Sequence, residues 1–180
     1  MTMTITTKRL LLRPHADADD LVRGLSNFNV SRWTSRVPHP YGPADAQAFL
    51  AGQQDGAFRR AIAMRIEPSH LIGGIGYEST AAGGAPELGY WLAEPYWRNG
   101  LGKEAAFATV SHAFDDDGHG HLQARYNLGN EGSRRILLGL GFEPRGVERI
   151  FSKANSHDVE VEWLMLSRER FEDAKGARGQ

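Results

Sequence analysis

The sequence contains no cysteine, which excludes disulfide bonds, a thiol nucleophile and the cysteine spacing of zinc fingers. It also lacks an excess of either charge, because 21 Lys and Arg residues are matched by 22 Asp and Glu residues. No basic surface is therefore predicted for non-specific nucleic-acid binding. No apolar run approaches the roughly eighteen residues of a membrane-spanning helix, and the N-terminus has no apolar signal core. We expect a cytoplasmic protein with neither a nucleic-acid nor a membrane partner.

Residues that bind metals are present but poorly arranged. The three aspartates at 115–117 are consecutive, whereas a magnesium ion needs oxygen ligands that converge. His119 and His121 have no third ligand at a spacing that suits zinc. We therefore expect no metal.

The length and composition favour a single domain. A chain of 180 residues with 41% hydrophobic content is long enough for one sizeable core and too short for two. We expect this domain to span residues 1–170, followed by a charged C-terminal tail, residues 171–180, that frays.

Two N-terminal regions have the alternating pattern of strands. Residues 4–13 predict one strand that ends at Pro14. The apolar runs 58–66 and 71–77 predict a hairpin whose turn is formed by residues 67–70.

The segment 87–105 predicts a strand, a glycine-rich turn and the start of a helix. Pro95 ends an alternating β-favouring run, and Gly100 and Gly102 precede good helix formers. Because the first N–H groups of a helix have no internal partner, such a turn suits an anion such as a pyrophosphate. A turn that merely packs a strand against a helix explains the same glycines. No Walker or dinucleotide-fold glycine pattern is present to decide between the two interpretations.

A second segment favours the ligand-binding interpretation. Residues 127–142 have the pattern Asn-x-x-Asn-x-x-Ser-x-x-x-Leu-x-x-x-Gly-Phe. With Glu-Leu-Gly-Tyr-Trp-Leu (87–92) and Tyr-Trp-Arg-Asn-Gly-Leu-Gly-Lys-Glu-Ala (96–105), it resembles the GNAT superfamily of acyl-CoA N-acyltransferases, in particular its RimJ/RimL-like branch. One departure is Trp97, where many members of the superfamily carry Gln or Arg.

The resemblance implies an α/β (α+β) fold. Its central sheet is mixed and mostly antiparallel, its middle strands splay apart, and helices cover both faces. It also implies that acetyl-CoA is the co-substrate, with the pyrophosphate on the turn 98–103 and the pantetheine beside residues 91 and 92. The implied coenzyme-binding residues are Trp91, Leu92, Trp97, Arg98, Asn99, Gly100, Leu101, Gly102, Lys103 and Asn130.

Two residues are candidates for catalysis. Ser133 matches the branch position that protonates the coenzyme A sulfur, although a hydroxyl that simply lies at a helix N-terminus is the alternative. Glu87 is the preferred base, acting directly or through water, because it begins the strand that leads to the thioester. A solvated glutamate beside a turn is equally compatible with its position. The alternative bases on the closing strands are Glu148, His157 and Asp158.

The predicted activity is transfer of an acetyl group from acetyl-CoA to a primary amine by direct attack. The acceptor is either a protein N-terminus, such as that of a ribosomal protein, or a small amine. The rival hypothesis is a sensor or scaffold that binds acyl-CoA without turnover. A homodimer is compatible with the resemblance, since dimers are common among relatives.

Overall fold

The computed structural model of the chain describes residues 3–15, 17–52, 57–79 and 84–177. Within these ranges the strands are β1 (Ile5–Thr6), β2 (Leu10–Arg13), β3 (Phe58–Met64), β4 (Glu67–Glu78), β5 (Glu87–Leu92), β6 (His121–Asn127), β7 (Glu143–Ser152) and β8 (His157–Ser167). The helices are α1 (Ala18–Leu25), α2 (Phe28–Ser31), α3 (Pro43–Ala51), α4 (Leu101–Asp115), α5 (Glu131–Gly139) and α6 (Arg168–Gly176). No helix in the described ranges is long and apolar enough to cross a membrane.

The described strands form one mixed sheet in the order β1-β2-β3-β4-β5-β6-β8-β7. All neighbouring pairs are antiparallel except β5 and β6, which are parallel. In the described structure that parallel pair has only two register partners, Glu87 with Gln123 and Leu88 with Ala124. The two strands therefore separate beyond Leu88, and the predicted mixed sheet with splayed middle strands is confirmed.

Helices cover both faces of the sheet. Side chains alternate between the faces along a strand, and the neighbouring residues Ala61 and Ile62 of β3 belong to two different apolar clusters. Ile62 packs in the larger cluster, with α4, α5 and α6. Ala61 packs in the smaller cluster, with α1 and α3. We call these sides the α4 face and the α1 face.

Three features of the chain differ from the sequence-based expectation. The single strand predicted over residues 4–13 is two short antiparallel strands, because the Thr7 hydroxyl and backbone N–H both contact the Leu10 carbonyl and form a turn. The predicted hairpin is present, but residues 67–70 belong to β4. In addition, Met64 pairs with Glu67, so the turn is shorter than predicted.

The charged C-terminal segment also differs from its prediction. Residues 168–176 form helix α6, and Ser167 caps it by accepting a hydrogen bond from the Arg170 N–H. Phe171 is fully buried and lies 5.3 Å and 5.6 Å, between ring centroids, from Phe107 and Phe114 of α4. Burial of this one aromatic ring fixes a segment that its composition alone predicted to fray. Residues 178–180 lie outside the described ranges.

Candidate active site

The gap between β5 and β6 exposes backbone polar groups. Ala93 donates its N–H to Ile72 of β4, and successive residues of a strand direct their backbone groups to opposite sides. The backbone groups of Tyr90 and Leu92 therefore face β6, beyond the last register pair of β5 and β6. The Leu92 carbonyl accepts a 2.7 Å hydrogen bond from the Trp97 indole. The N–H groups of Tyr90 and Leu92 remain directed into the gap.

The predicted anion-binding turn lies at the end of β5, where α4 begins. Arg98 and Gly100 both have left-handed backbone conformations, with φ of 60° and 75°, and this conformation favours glycine. The first helical hydrogen bond runs from the Glu104 N–H to the Gly100 carbonyl, at 3.1 Å. The N–H groups of Leu101, Gly102 and Lys103 therefore precede it and have no partner inside the helix. The side chains of Arg98 and Asn99 are exposed beside them.

The second glycine of the turn allows close packing. A Cβ atom at Gly102 would lie 3.1 Å from the Ile136 side chain of α5 and 3.3 Å from the Leu92 side chain of β5. The N-terminus of α4 thus contacts both α5 and the end of β5. Its first turn is held beside the gap between the strands.

A residue that sequence reasoning missed, Arg9, holds this turn in place. Its Nη1 donates a 2.8 Å hydrogen bond to the Asn99 carbonyl, and its Nε lies 2.6 Å from the Glu104 carboxylate. Partial burial alone would raise the pKa of Glu104, but hydrogen bonds from Thr7 and Arg9 outweigh it and lower that pKa. Arg9 and Asn99 are 90 residues apart in the sequence, so no local pattern connects them.

Ser133 lies in the first turn of α5 and contacts Tyr90. The Tyr90 and Ser133 hydroxyls are 2.7 Å apart. Burial raises the pKa of the Tyr90 hydroxyl well above its usual range, so that hydroxyl keeps its proton at neutral pH. Asn130 caps α5 by accepting a 3.1 Å hydrogen bond from the Ser133 N–H. Tyr90 was not predicted as a site residue, although its alternation with Leu88 and Leu92 indicates the face on which it lies.

Glu87 lies on the other face of the sheet and is not a free solvated carboxylate. It is three residues before Tyr90 on β5, so the two side chains point to opposite sides. The Arg125 guanidinium of β6 contacts the Glu87 carboxylate and also donates a 2.5 Å hydrogen bond to Glu148 of β7. Burial alone would lower the pKa of Arg125, but Glu148 and Glu87 outweigh it and raise that pKa. Two of the predicted bases, Glu87 and Glu148, therefore both form ion pairs with Arg125.

The other two predicted bases lie at the β7–β8 turn. His157 pairs with Ser152, and Asp158 pairs with Phe151, at the end of the β7–β8 ladder. Both side chains are exposed, and His157 Nδ1 is 2.8 Å from the Asn155 carbonyl. The structure does not bring them to Ser133 or to the turn before α4.

Trp91 packs its indole on the α1 face. A Cβ atom at Gly24 of α1 would lie 2.5 Å from the Trp91 ring, and one at Gly74 of β4 would lie 2.7 Å from its Nε1. Only glycine allows this approach at either position. His15 lies beside the same wall, 3.4 Å from that Gly74 Cβ position. Its Nδ1 has no hydrogen-bond partner among the described residues, and burial lowers its pKa to about 4.

In the described ranges, no group of three or more His, Asp or Glu side chains is placed to hold a metal ion. The polar groups around the gap are backbone N–H groups, hydroxyls and the charged side chains named above. Groups of these types are the ones that can bind anions and transfer protons.

Comparison with known proteins gives one family. The model of a family described as acetyltransferase (GNAT) domain matches residues 9–143. The chain is 30% identical to the uncharacterized N-acetyltransferase YoaA of Bacillus subtilis over 173 residues, which covers 92% of this chain and 98% of the relative.

Two solved structures share the fold at low sequence identity. Mycobacterium smegmatis RimJ in complex with CoA-disulfide has a TM-score of 0.77 at 16% identity, and the match covers 94% of this chain and 89% of that chain. The ribosomal-protein-S5-alanine acetyltransferase from Vibrio fischeri has a TM-score of 0.67 at 20% identity, with 89% and 95% covered.

Proposed function

The chain belongs to the GNAT family of N-acetyltransferases, and from this premise we propose that it transfers an acetyl group from acetyl-CoA to a primary amine by direct attack. The observation that carries the proposal is the gap between β5 and β6, which is flanked on one side by the turn before α4 and the Tyr90–Ser133 pair. These elements provide an anion site, two backbone donors and a proton donor. The family uses acetyl-CoA, which supplies the activated acetyl group as a thioester.

The turn before α4 suits the diphosphate of the coenzyme. The N–H groups of Leu101, Gly102 and Lys103 and the positive end of the helix provide a cradle for phosphate oxygens. The exposed side chains of Arg98 and Asn99 border it. The structural relative RimJ, solved with CoA-disulfide, supports a coenzyme site in this fold. From the turn, the pantetheine would follow the edge of β5 towards Tyr90.

The groups in the gap suit the chemistry of acyl transfer. The amine lone pair forms a bond to the carbonyl carbon while the thioester oxygen gains negative charge, which the Tyr90 or Leu92 N–H stabilises. One such donor is typically worth about 3 kcal/mol of barrier. As the carbon–sulfur bond breaks, the Ser133 hydroxyl donates a proton to the thiolate. Water then restores the serine proton through the Tyr90 hydroxyl, which lies 2.7 Å from Ser133. The amine proton leaves by way of Glu87, directly or through water.

Acceptor amines differ in how much help from a base they need. With pKa values near 7.8 and 10.4, an α-amine is about one-tenth neutral at pH 7, and a lysine amine is neutral in roughly one molecule in 2,500. The Glu87 carboxylate is already paired with Arg125, so an acceptor that needs little help from a base suits this site. We therefore favour an α-amine, on a protein N-terminus or an amino acid. The structural relative that acetylates a ribosomal-protein alanine supports the first choice.

A mass-spectrometric assay tests the proposal. Peptides that differ only in their N-terminal residue, matched peptides with a blocked N-terminus and an internal lysine, and small amines are each incubated with acetyl-CoA. We expect peptides with a free N-terminus to gain about 42 Da, because one acetyl group replaces one hydrogen. Blocked peptides should gain no mass. Coenzyme A binding without acetylation of any acceptor would instead support a sensor or scaffold.

A further inference from the structure

Two carboxylates face each other across neighbouring strands on the α1 face. Glu78 of β4 and Glu87 of β5 are direct register partners, so their side chains leave the sheet on the same side. Like charges in directly opposite positions of a sheet are unfavourable. Both side chains are only partly exposed, at 18% and 19%. The pair therefore requires a cation.

Cations from the sheet flank the pair from outside. Arg59 of β3 lies 2.5 Å from Glu78, and Arg125 of β6 contacts Glu87 and Glu148. These two arginines come from strands next to the carboxylates, and their side chains are 23% and 28% exposed. Both arginines belong to the sheet, but their two positive charges do not balance the three carboxylates that they contact.

The third cation has a different origin. Arg36 contacts Glu78 through Nη1 and approaches Glu87 to 3.8 Å through Nη2, so it lies between the two carboxylates. It comes from the loop between α2 and α3, and its side chain is 65% exposed. Exposed ion pairs contribute little to stability, so Arg36 is held far less firmly than Arg59 or Arg125.

Next to this cation there is open space. Gly89 follows Glu87 on the same face of β5, and a Cβ atom built there would meet no atom of the described residues within 4 Å. Trp91 continues the same face and forms a wall against α1. The space over Gly89 thus lies between a carboxylate pair and an aromatic wall, where β5 and β6 begin to separate.

We propose that Arg36 occupies the site of the acceptor's ammonium group, and that a cationic amine replaces it between Glu78 and Glu87 before acetylation. The inference rests on the proposed function, which it deepens by naming the acceptor as a cation and by naming its site. The incoming amine enters as an ammonium ion, gives up one proton to Glu87 or to water, and reaches the thioester over Gly89. The same two glutamates disfavour a free amino acid, whose carboxylate lies close to its amine, so of the two α-amine acceptors favoured above this inference selects the protein N-terminus.

The test uses n-butylammonium as a probe of the full-length protein labelled with nitrogen-15. We follow the amide resonance of Gly89 in a titration, with and without coenzyme A. Arg36→Gln removes the competing cation, and Arg32→Gln is the matched control, because it changes the charge of the same loop without touching either carboxylate. Arg36→Lys restores a cation at the original position.

We expect Arg36→Gln to lower the dissociation constant of the probe about fivefold, as the loss of one exposed ion pair allows. Arg32→Gln and Arg36→Lys should stay near the wild-type value, and adding Glu78→Gln to Arg36→Gln should abolish the gain. An unchanged dissociation constant in Arg36→Gln, or an unmoved Gly89 resonance, overturns the inference. Acetylated product with an unmoved Gly89 resonance leaves the proposed function intact. A Gly89 shift in a protein that acetylates no amine counts against the proposed function alone.

Discussion

Removal of the Ser133 hydroxyl tests the proton-transfer step most directly. The 2.7 Å contact with Tyr90 gives the serine a partner that holds its proton at neutral pH. A positioned general acid contributes at least about 100-fold, so we expect Ser133→Ala to lower kcat by about 100-fold, or about 2.7 kcal/mol of barrier. KM for acetyl-CoA should change less than about twofold, because the turn before α4 is untouched. Ser133→Thr keeps a hydroxyl and should retain more of the activity.

Tyr90→Phe tests whether Tyr90 acts through Ser133, as a proton relay, or contributes to catalysis on its own. The variant loses one hydrogen bond, worth about 1 kcal/mol, so kcat should fall about fivefold. If Tyr90 acts through Ser133, the double variant should be no slower than Ser133→Ala alone. A thiol reagent that detects released coenzyme A is a clean assay, because the chain has no cysteine. Retention of kcat within about twofold in Ser133→Ala, or multiplicative effects in the double variant, would refute this reasoning.

Three further predictions concern the turn and a buried histidine. Gly100→Ala places a Cβ atom at φ of 75°. It should weaken coenzyme A binding, measured by calorimetry, and should lower the stability of the fold by about 1 kcal/mol. The control Gly120→Ala, whose Cβ meets open space in the described structure, should change neither quantity. Glu104→Gln should destabilise the protein at neutral pH, because the charged bonds to Arg9 are lost. The difference in stability from wild type should shrink as the pH falls through the lowered pKa of Glu104, because protonation of the wild-type carboxylate removes the same charge. A difference in stability that stays constant with pH would contradict this. The pKa of His15 in the folded protein, about 4, lies below the ordinary 6.5, so the unfolded chain binds more protons as the pH falls. Stability should therefore fall by about 3 kcal/mol between pH 7 and pH 4. Denaturant unfolding should show a flatter pH dependence of stability in His15→Phe than in wild type.

Local sequence patterns predicted the elements that surround the gap. The strand at 87–92, the turn at 98–103 and the helices that follow are visible because alternation, glycine and helix formers act over a few residues. The Asn130 side chain, which accepts a hydrogen bond from the Ser133 N–H, is likewise a contact between near neighbours in the chain. These features depend on neighbours in the chain, so a sequence contains their signal. The coenzyme and catalytic roles of these residues stay predictions.

Contacts between distant segments were not predictable in this way. Glu87 and Arg125 meet because the sheet order places β5 and β6 side by side. Arg9 meets Asn99 because the start of α4 packs in the same apolar cluster as β2. The partner of Glu87 decides whether that residue is a solvated base or part of a charge network, and its local sequence contains no such information. The helix at residues 168–176 was not visible in the local sequence for the same reason, since Phe171 finds its partners on α4.

The tight fit of Trp91 against two glycines has an evolutionary consequence. An indole at position 91 excludes any side chain at positions 24 and 74, which lie on a helix and on another strand. Each glycine can be exchanged only after the tryptophan has become smaller, and the tryptophan can return only if both glycines are restored. Across related chains, these three positions should therefore vary as one unit, and a directed-evolution experiment on acceptor choice should randomise them together.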